Sequence, residues 1–124
     1  PQDAAEVAAT IAVARRHGLR LAVQGTGHGA GSLGDLSDAI LLRTTRMRGV
    51  RIDPAARSAR AEAGVEWEEV TAPAGAHGLV ALHGSSPNVG VAGYSLGGGI
   101  GWLARSKGLA CNSVTAIELV TMDG

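Results

Sequence analysis

A glycine-rich stretch near the start of the chain has the residue types needed to hold an anion. It reads Gln24-Gly25-Thr26-Gly27-His28-Gly29-Ala30-Gly31 and follows residues 19–23, whose alternating apolar side chains predict a short strand. Because glycines place no Cβ in the way, successive backbone N–H groups of such a loop can converge on a pyrophosphate. The loop also carries one imidazole, His28.

The spacing of Gly25, Gly27 and Ala30 satisfies the G-x-G-x-x-A dinucleotide fingerprint. In a Rossmann fold this motif opens a helix, and an acid for the ribose follows about 20 residues later. Here residues 31–35 continue as a predicted loop, and residues 43–47 contain no acid. The sequence context therefore argues against a Rossmann site.

A second glycine-rich stretch, residues 84–101, offers a nucleophile from a different enzyme class. Gly93-Tyr94-Ser95-Leu96-Gly97 matches the G-x-S-x-G elbow of the α/β-hydrolases, in which Ser95 would be acylated. Those enzymes place the catalytic histidine after the serine, whereas all four histidines of this chain precede Ser95. A serine hydrolase remains an alternative, as does a non-catalytic nucleotide-binding domain.

The elements that must position these loops predict an α+β domain of short strands, a hairpin and flanking helices. Apolar residues at helical spacing, with Asp3 and Glu6 as a capping pair, predict a helix over residues 3–17. Strands are expected at residues 19–23 and 39–42, and a hairpin at residues 49–63.

The later elements are expected to be shorter. A helix is predicted to run from Val65 towards His77, and Pro73 should kink it or end it early. Residues 84–101 hold too many glycines for a regular helix or strand, and a helical turn follows around residues 102–107. Strands are predicted at residues 79–82 and 113–122.

Composition favours a small-molecule partner for a single domain. The chain has 124 residues, of which 45% are hydrophobic and 2% aromatic, and eleven basic residues balance eleven acidic ones. This balance provides no field for nucleic acid or an anionic membrane, and the aromatic content is too low to stack bases. We expect neither as a partner.

The single cysteine, Cys111, excludes an internal disulfide and a multi-cysteine metal site, so we expect no metal. Its isolation fits a cytoplasmic protein. No apolar run approaches the roughly 20 residues of a membrane helix, and the start of the chain lacks the pattern of a signal peptide. Because there is no initiator Met and the chain ends on a turn signal, we expect an excised piece.

Both glycine-rich stretches together resemble the FAD-binding domain of the vanillyl-alcohol-oxidase superfamily and, more narrowly, its berberine-bridge-enzyme-like oxidases. The similarity is collinear along the chain and covers the opening helix, the hairpin with Asp53-Pro54, and residues 24–28, 84–101, 105–110 and 118–124. The resemblance implies a fold of the vanillyl-alcohol-oxidase type. Residues 1–124 would form part of one FAD-binding domain, the first subdomain and the start of the second, with the substrate domain outside this chain.

The resemblance also implies the roles of individual residues. The family's loop histidine, here His28, bonds through a ring nitrogen to the 8α-methyl carbon of the isoalloxazine. Bicovalent members carry a second link on a cysteine where this chain has Ser86, so a single covalent link is implied. The implied FAD contacts come from Gln24, Gly25, Thr26, Gly27, His28, Gly29, Ala30, Ser86, Val89, Gly90, Gly93, Tyr94, Gly97, Gly98 and Gly101.

The reaction that the resemblance implies is oxidation of a C–H bond beside a hydroxyl or amine by hydride transfer to flavin N5. Oxygen or another acceptor then reoxidises the flavin. In the family a separate substrate domain supplies the general base, and nothing in these residues matches it.

Overall fold

Two small sheets, each with a helix packed against it, form the fold of residues 1–123, the part of the chain that the computed structural model describes. Helix α1 spans Ala4–Arg16. The Asp3 side chain caps it by accepting a hydrogen bond from the Glu6 N–H at 2.9 Å. Gly18, at φ 64°, follows the helix end.

The first sheet pairs β1, Arg20–Gln24, with β2, Ala39–Arg43, in parallel. Parallel neighbours need a connection of a dozen or more residues, and the first glycine-rich stretch lies in that connection, which includes a 3-10 turn at Ala30–Ser32. Helix α1 packs on both strands and contributes buried Ile11 and Ala14 to the core. The glycine-rich loop therefore starts at the carboxyl end of a strand against which α1 packs.

The second sheet is the predicted hairpin, in which β3, Val50–Asp53, pairs antiparallel with β4, Ser58–Ala61. Helix α2, Trp67–Gly75, packs on β3. Val65, Trp67 and Val70 form the centre of this core, and the partly buried side chains around them include Tyr94 and Val89 from the second glycine-rich stretch.

Pro73 does not end α2, which runs on to Gly75 and ends before His77. A proline here removes one N–H donor from the helix ladder. Burial of Val70 and Ala74 on the core face offsets that loss, because most helical stability in proteins comes from packing an apolar face.

Three predictions for the second half are corrected. Residues 79–82 and residues 113–122 are not strands, because neither pairs with another strand within residues 1–123. Residues 84–101 do contain a helix, α3 at Val91–Leu96, despite their glycines. The helical turn expected near residues 102–107 is confirmed as α4, Ala104–Lys107, and a 3-10 turn at Ala110–Ser113 follows it. Among the helices of residues 1–123, none has both the length and the apolarity needed to cross a bilayer.

Candidate functional site

The two glycine-rich stretches, separated in sequence by about half the chain, are hydrogen-bonded to each other. The Gly90 N–H donates to the Thr26 hydroxyl at 3.2 Å, across 64 positions. Beside this contact, the His28 Nε2 lies 3.2 Å from the Asn88 Oδ1, across 60 positions. We call residues 24–31 the first loop and residues 84–90 the second loop; together they form one site.

The first loop carries free donors. Within residues 1–123, the backbone N–H groups of Thr26, Gly27, His28 and Gly29 donate to no acceptor. Gly27 has φ 90°, a backbone conformation that residues with a Cβ rarely adopt, so this position favours glycine. Four adjacent free donors on a glycine-rich bend are suited to binding an anion such as a phosphate.

The second loop is anchored to the start of α2 by backbone hydrogen bonds. Trp67 N–H donates to the Val89 carbonyl at 3.0 Å, and Glu68 N–H donates to the Pro87 carbonyl at 3.0 Å. These bonds fix the backbone on both sides of Asn88. The position of the Asn88 backbone is therefore set by its attachment to the start of α2.

An ion-pair cluster braces the same end of α2. Arg48 contacts the Glu69 carboxylate at 2.6 Å and the Glu66 carboxylate at 3.4 Å, and Glu69 also accepts from the Glu66 N–H at 2.8 Å. The hydrogen bond to Glu69 raises the pKa of Arg48 above its ordinary value. The start of α2, and with it the second loop, is thus held by side chains as well as by packing.

Tyr94 joins the site to the core. Its ring meets the Trp67 ring edge-on, with centroids 5.6 Å apart and an interplanar angle of 88°. The Tyr94 hydroxyl and the Trp67 indole N–H are both buried, and neither has a hydrogen-bond partner within residues 1–123. Burial raises the pKa of Tyr94.

Most of the residues singled out in the sequence lie along a broad, open cleft of about 2100 Å³, which nearly half of the chain lines. Those that line it are Gln24, Gly25, Thr26, Gly27, His28, Gly29, Ala30, Val89, Gly90, Gly93, Tyr94 and Gly97. Ser86, Gly98 and Gly101 do not line it. Gly101 instead packs against its own chain, because a Cβ there would lie 2.1 Å from the His83 carbonyl oxygen.

Two glycines of the cleft have no packing reason to be glycine. A Cβ added at Gly29 or at Gly93 would meet no atom within 4 Å, apart from the chain immediately around it. Open space at two glycines that line the cleft, one of which also carries a free N–H donor, fits a molecule that combines phosphates with a flat apolar ring. The residues present therefore fit a flavin dinucleotide.

The hydrolase alternative is not favoured by this geometry. Ser95 lies inside α3 and not at the strand-to-helix turn of a nucleophile elbow. His83, the histidine nearest to it in sequence, contacts the Gly84 carbonyl through Nδ1 at 2.7 Å and stacks at a tilt beside Trp67. Within residues 1–123, no group of three or more His, Cys, Asp or Glu side chains could hold a metal ion.

Asn88 is the site residue that sequence reasoning did not identify. It stands in the second loop between Pro87 and Val89, with nothing in its spacing that indicates a role. Only the three-dimensional contact with His28 distinguishes it from an ordinary loop asparagine.

Comparison with known protein families also identifies an FAD-binding domain. The FAD binding domain family matches residues 1–124. The (R)-6-hydroxynicotine oxidase of Paenarthrobacter nicotinovorans is 33% identical over 122 residues, which are 98% of this chain and 27% of that protein.

Solved structures of similar proteins share this fold. Phl p 4, a grass pollen allergen with glucose dehydrogenase activity, superposes with a TM-score of 0.90 at 28% identity, over 99% of this chain and 26% of that one. The BBE-like 1 variant D396N of Physcomitrella patens gives 0.81 at 28% identity, over 90% of this chain and 25% of that one. The chain thus spans about a quarter of the length of these relatives. With this fold, two joined glycine-rich loops and a family match from end to end, the chain belongs to the FAD binding domain family of the vanillyl-alcohol-oxidase superfamily.

Proposed function

We propose that this chain holds FAD in a flavin-dependent oxidoreductase that removes a hydride from a C–H bond beside a hydroxyl or amine. The observation that carries the proposal is the junction of the two loops, where the His28 imidazole projects from a run of four unpaired backbone N–H groups at residues 26–29. FAD supplies the two-electron chemistry, and the protein supplies binding and orientation.

The chain's own residues divide the work of binding. Backbone N–H groups of residues 26–29 face the pyrophosphate, and their neutral dipoles balance its charge without a basic side chain. The side chains of Gln24 and Thr26 are compatible with this role, because it uses only backbone N–H groups. Val89 and Tyr94 also line the cleft and offer apolar surface to the cofactor.

His28 forms one covalent link to the cofactor. The imidazole gives up one hydrogen and the 8α-methyl carbon gives up another as the C–N bond forms. The corresponding two electrons and two protons pass to oxygen, which leaves as hydrogen peroxide, or to another two-electron acceptor. Ser86 forms no thioether, so His28 is the single tether.

The substrate is bound outside this chain. The named relatives act on different molecules, 6-hydroxynicotine and glucose, so they support a common type of reaction more than a common substrate. We assign residues 1–124 to part of one FAD-binding domain. The general base and the substrate pocket then belong to a separate domain.

Acid precipitation of the natural polypeptide tests the link. The wild-type protein should be yellow, and its colour should stay with the precipitated polypeptide. His28→Ala should release all flavin into the supernatant. His17→Ala, at the far end of α1, is the matched control and should retain it.

Flavin that stays attached in His28→Ala would refute the assignment of the tether. A colourless protein whose Ser95 reacts with a fluorophosphonate would instead support the hydrolase alternative.

A further inference from the structure

We propose that Asn88 is a positioning residue for His28, accepting a hydrogen bond from Nε2–H and thereby presenting Nδ1, with its free electron pair, to the flavin. This inference rests on the proposed function. The observation behind it is the 3.2 Å contact between the His28 Nε2 and the Asn88 Oδ1.

The contact selects one form of the ring. A neutral imidazole carries one proton, and the nitrogen that does not hold it has the free electron pair. With its amide oxygen facing the ring, Asn88 can only accept, so the tautomer that we infer holds its proton on Nε2. No other hydrogen bond to the His28 ring is formed within residues 1–123, so Asn88 alone selects this tautomer.

The position of Asn88 suits such a role. The hydrogen bonds from Trp67 and Glu68 hold the second loop on both sides of it, whereas His28 is exposed on a glycine-flanked bend. An acceptor on an anchored backbone thus orients a side chain that lies between two glycines. Partners of this kind are known to set the tautomer and direction of histidines that bind metals, and the same physics applies to an imidazole that attacks carbon.

Three variants of the natural polypeptide test the inference. Asn88→Leu removes the acceptor at similar size, Asn88→Asp keeps an acceptor that cannot donate, and Asn112→Leu removes an exposed asparagine elsewhere. FAD is added to each apoprotein, and the rate at which flavin becomes acid-stable on the polypeptide is measured. We expect Asn88→Leu to slow attachment about tenfold, the size of one lost orienting hydrogen bond. Asn88→Asp and Asn112→Leu should attach flavin at close to the wild-type rate.

A second measurement separates positioning from loop stability. In a His28→Ala background, where no link forms, adding Asn88→Leu should leave the FAD dissociation constant unchanged within about twofold. A matching loss of affinity there would overturn the positioning role in favour of a structural one. Wild-type attachment rates in Asn88→Leu, or failure of Asn88→Asp to attach flavin, would also overturn it.

The ring itself gives a readout that does not depend on flavin attachment. In apoprotein labelled with ¹⁵N-histidine, His28 should show a single Nε2–H tautomer, and Asn88→Leu should show a mixture. If the wild type binds no flavin covalently while this difference is seen, the proposed link fails and the Asn88 contact stands. A tautomer that does not respond to Asn88→Leu overturns the inference by itself.

Discussion

Two glycines from the same stretch, Gly93 and Gly101, should respond in opposite ways to the same added methyl group. At Gly101 a Cβ would lie 2.1 Å from the His83 carbonyl oxygen and 2.8 Å from the Tyr94 hydroxyl. The first neighbour is backbone, which cannot rotate away. At Gly93, inside α3, a Cβ would meet nothing within 4 Å.

The magnitudes follow from these distances. Overpacking against a fixed neighbour costs about 1–3 kcal/mol, and the overlap at Gly101 places Gly101→Ala at the upper end, near 3 kcal/mol. Replacing an exposed helical glycine by alanine stabilises by about 0.5–1 kcal/mol, so Gly93→Ala should be slightly more stable. If FAD occupies the space in front of Gly93, the same 1–3 kcal/mol of overpacking appears as about 5- to 150-fold weaker binding.

Urea unfolding of the apoproteins measures the first effect, and flavin fluorescence titration in a His28→Ala background measures the second. Gly101→Ala should lower the unfolding midpoint without a large change in slope. Gly93→Ala should keep or raise the midpoint and weaken FAD binding. Unchanged affinity in Gly93→Ala would show that FAD does not approach this face of α3, and an unaltered midpoint in Gly101→Ala would refute the packing on His83.

Three further predictions concern single contacts. Thr26→Val leaves the Gly90 N–H without its acceptor and should lower the free energy of unfolding, measured with urea, by about 1–3 kcal/mol. Thr26→Ser keeps the hydroxyl and should recover most of that loss. Equal losses in both variants would mean that the methyl group, and not the hydroxyl, joins the loops. Burial raises the pKa of Tyr94, so the unfolded chain ionises this phenol at a lower pH than the folded protein does. The free energy of unfolding should therefore be constant below the unfolded-state pKa of about 10 and fall as the pH rises above it. That alkaline fall should disappear in Tyr94→Phe, and its persistence there would assign it to another group. Asp3→Ala removes the cap of α1 and should lower the free energy of unfolding by about 1 kcal/mol, measured by thermal unfolding. The control is Asp3→Asn, which retains a capping oxygen. A loss as large in Asp3→Asn would exclude capping as the cause.

Local patterns in the sequence were sufficient to predict the individual helix and strands of the first half of the chain, although not how the strands pair. The cap at Asp3, the alternation before Gln24 and the turn after Asp53 each act over a few residues, so they can be recognised without knowing the rest of the chain. The parallel pairing of β1 with β2 followed from none of them, because the alternation in each strand does not specify its neighbour.

The second half shows where such patterns stop being informative. Residues 113–122 are rich in the β-branched side chains typical of a strand, but a strand exists only when another pairs with it, and none does within residues 1–123. Helix α3 forms across Gly93 because Val91 and Tyr94 pack on the core around Trp67, which outweighs a low helix propensity.

The candidate site divides in the same manner. The glycine-rich loops and the imidazole could be found from residue types alone. That Thr26 meets Gly90 and His28 meets Asn88 depends on two loops brought together by different sheets, and short-range spacing contains no information about such a contact.

The central claim is that these two loops close around FAD and that His28 tethers it. A crystal structure of the natural polypeptide grown with FAD tests it most directly. We expect electron density for a bond between a ring nitrogen of His28 and the 8α carbon, with the pyrophosphate within hydrogen-bond distance of the N–H groups of residues 26–29. Density for FAD at another place, with these four N–H groups facing solvent, would contradict the account.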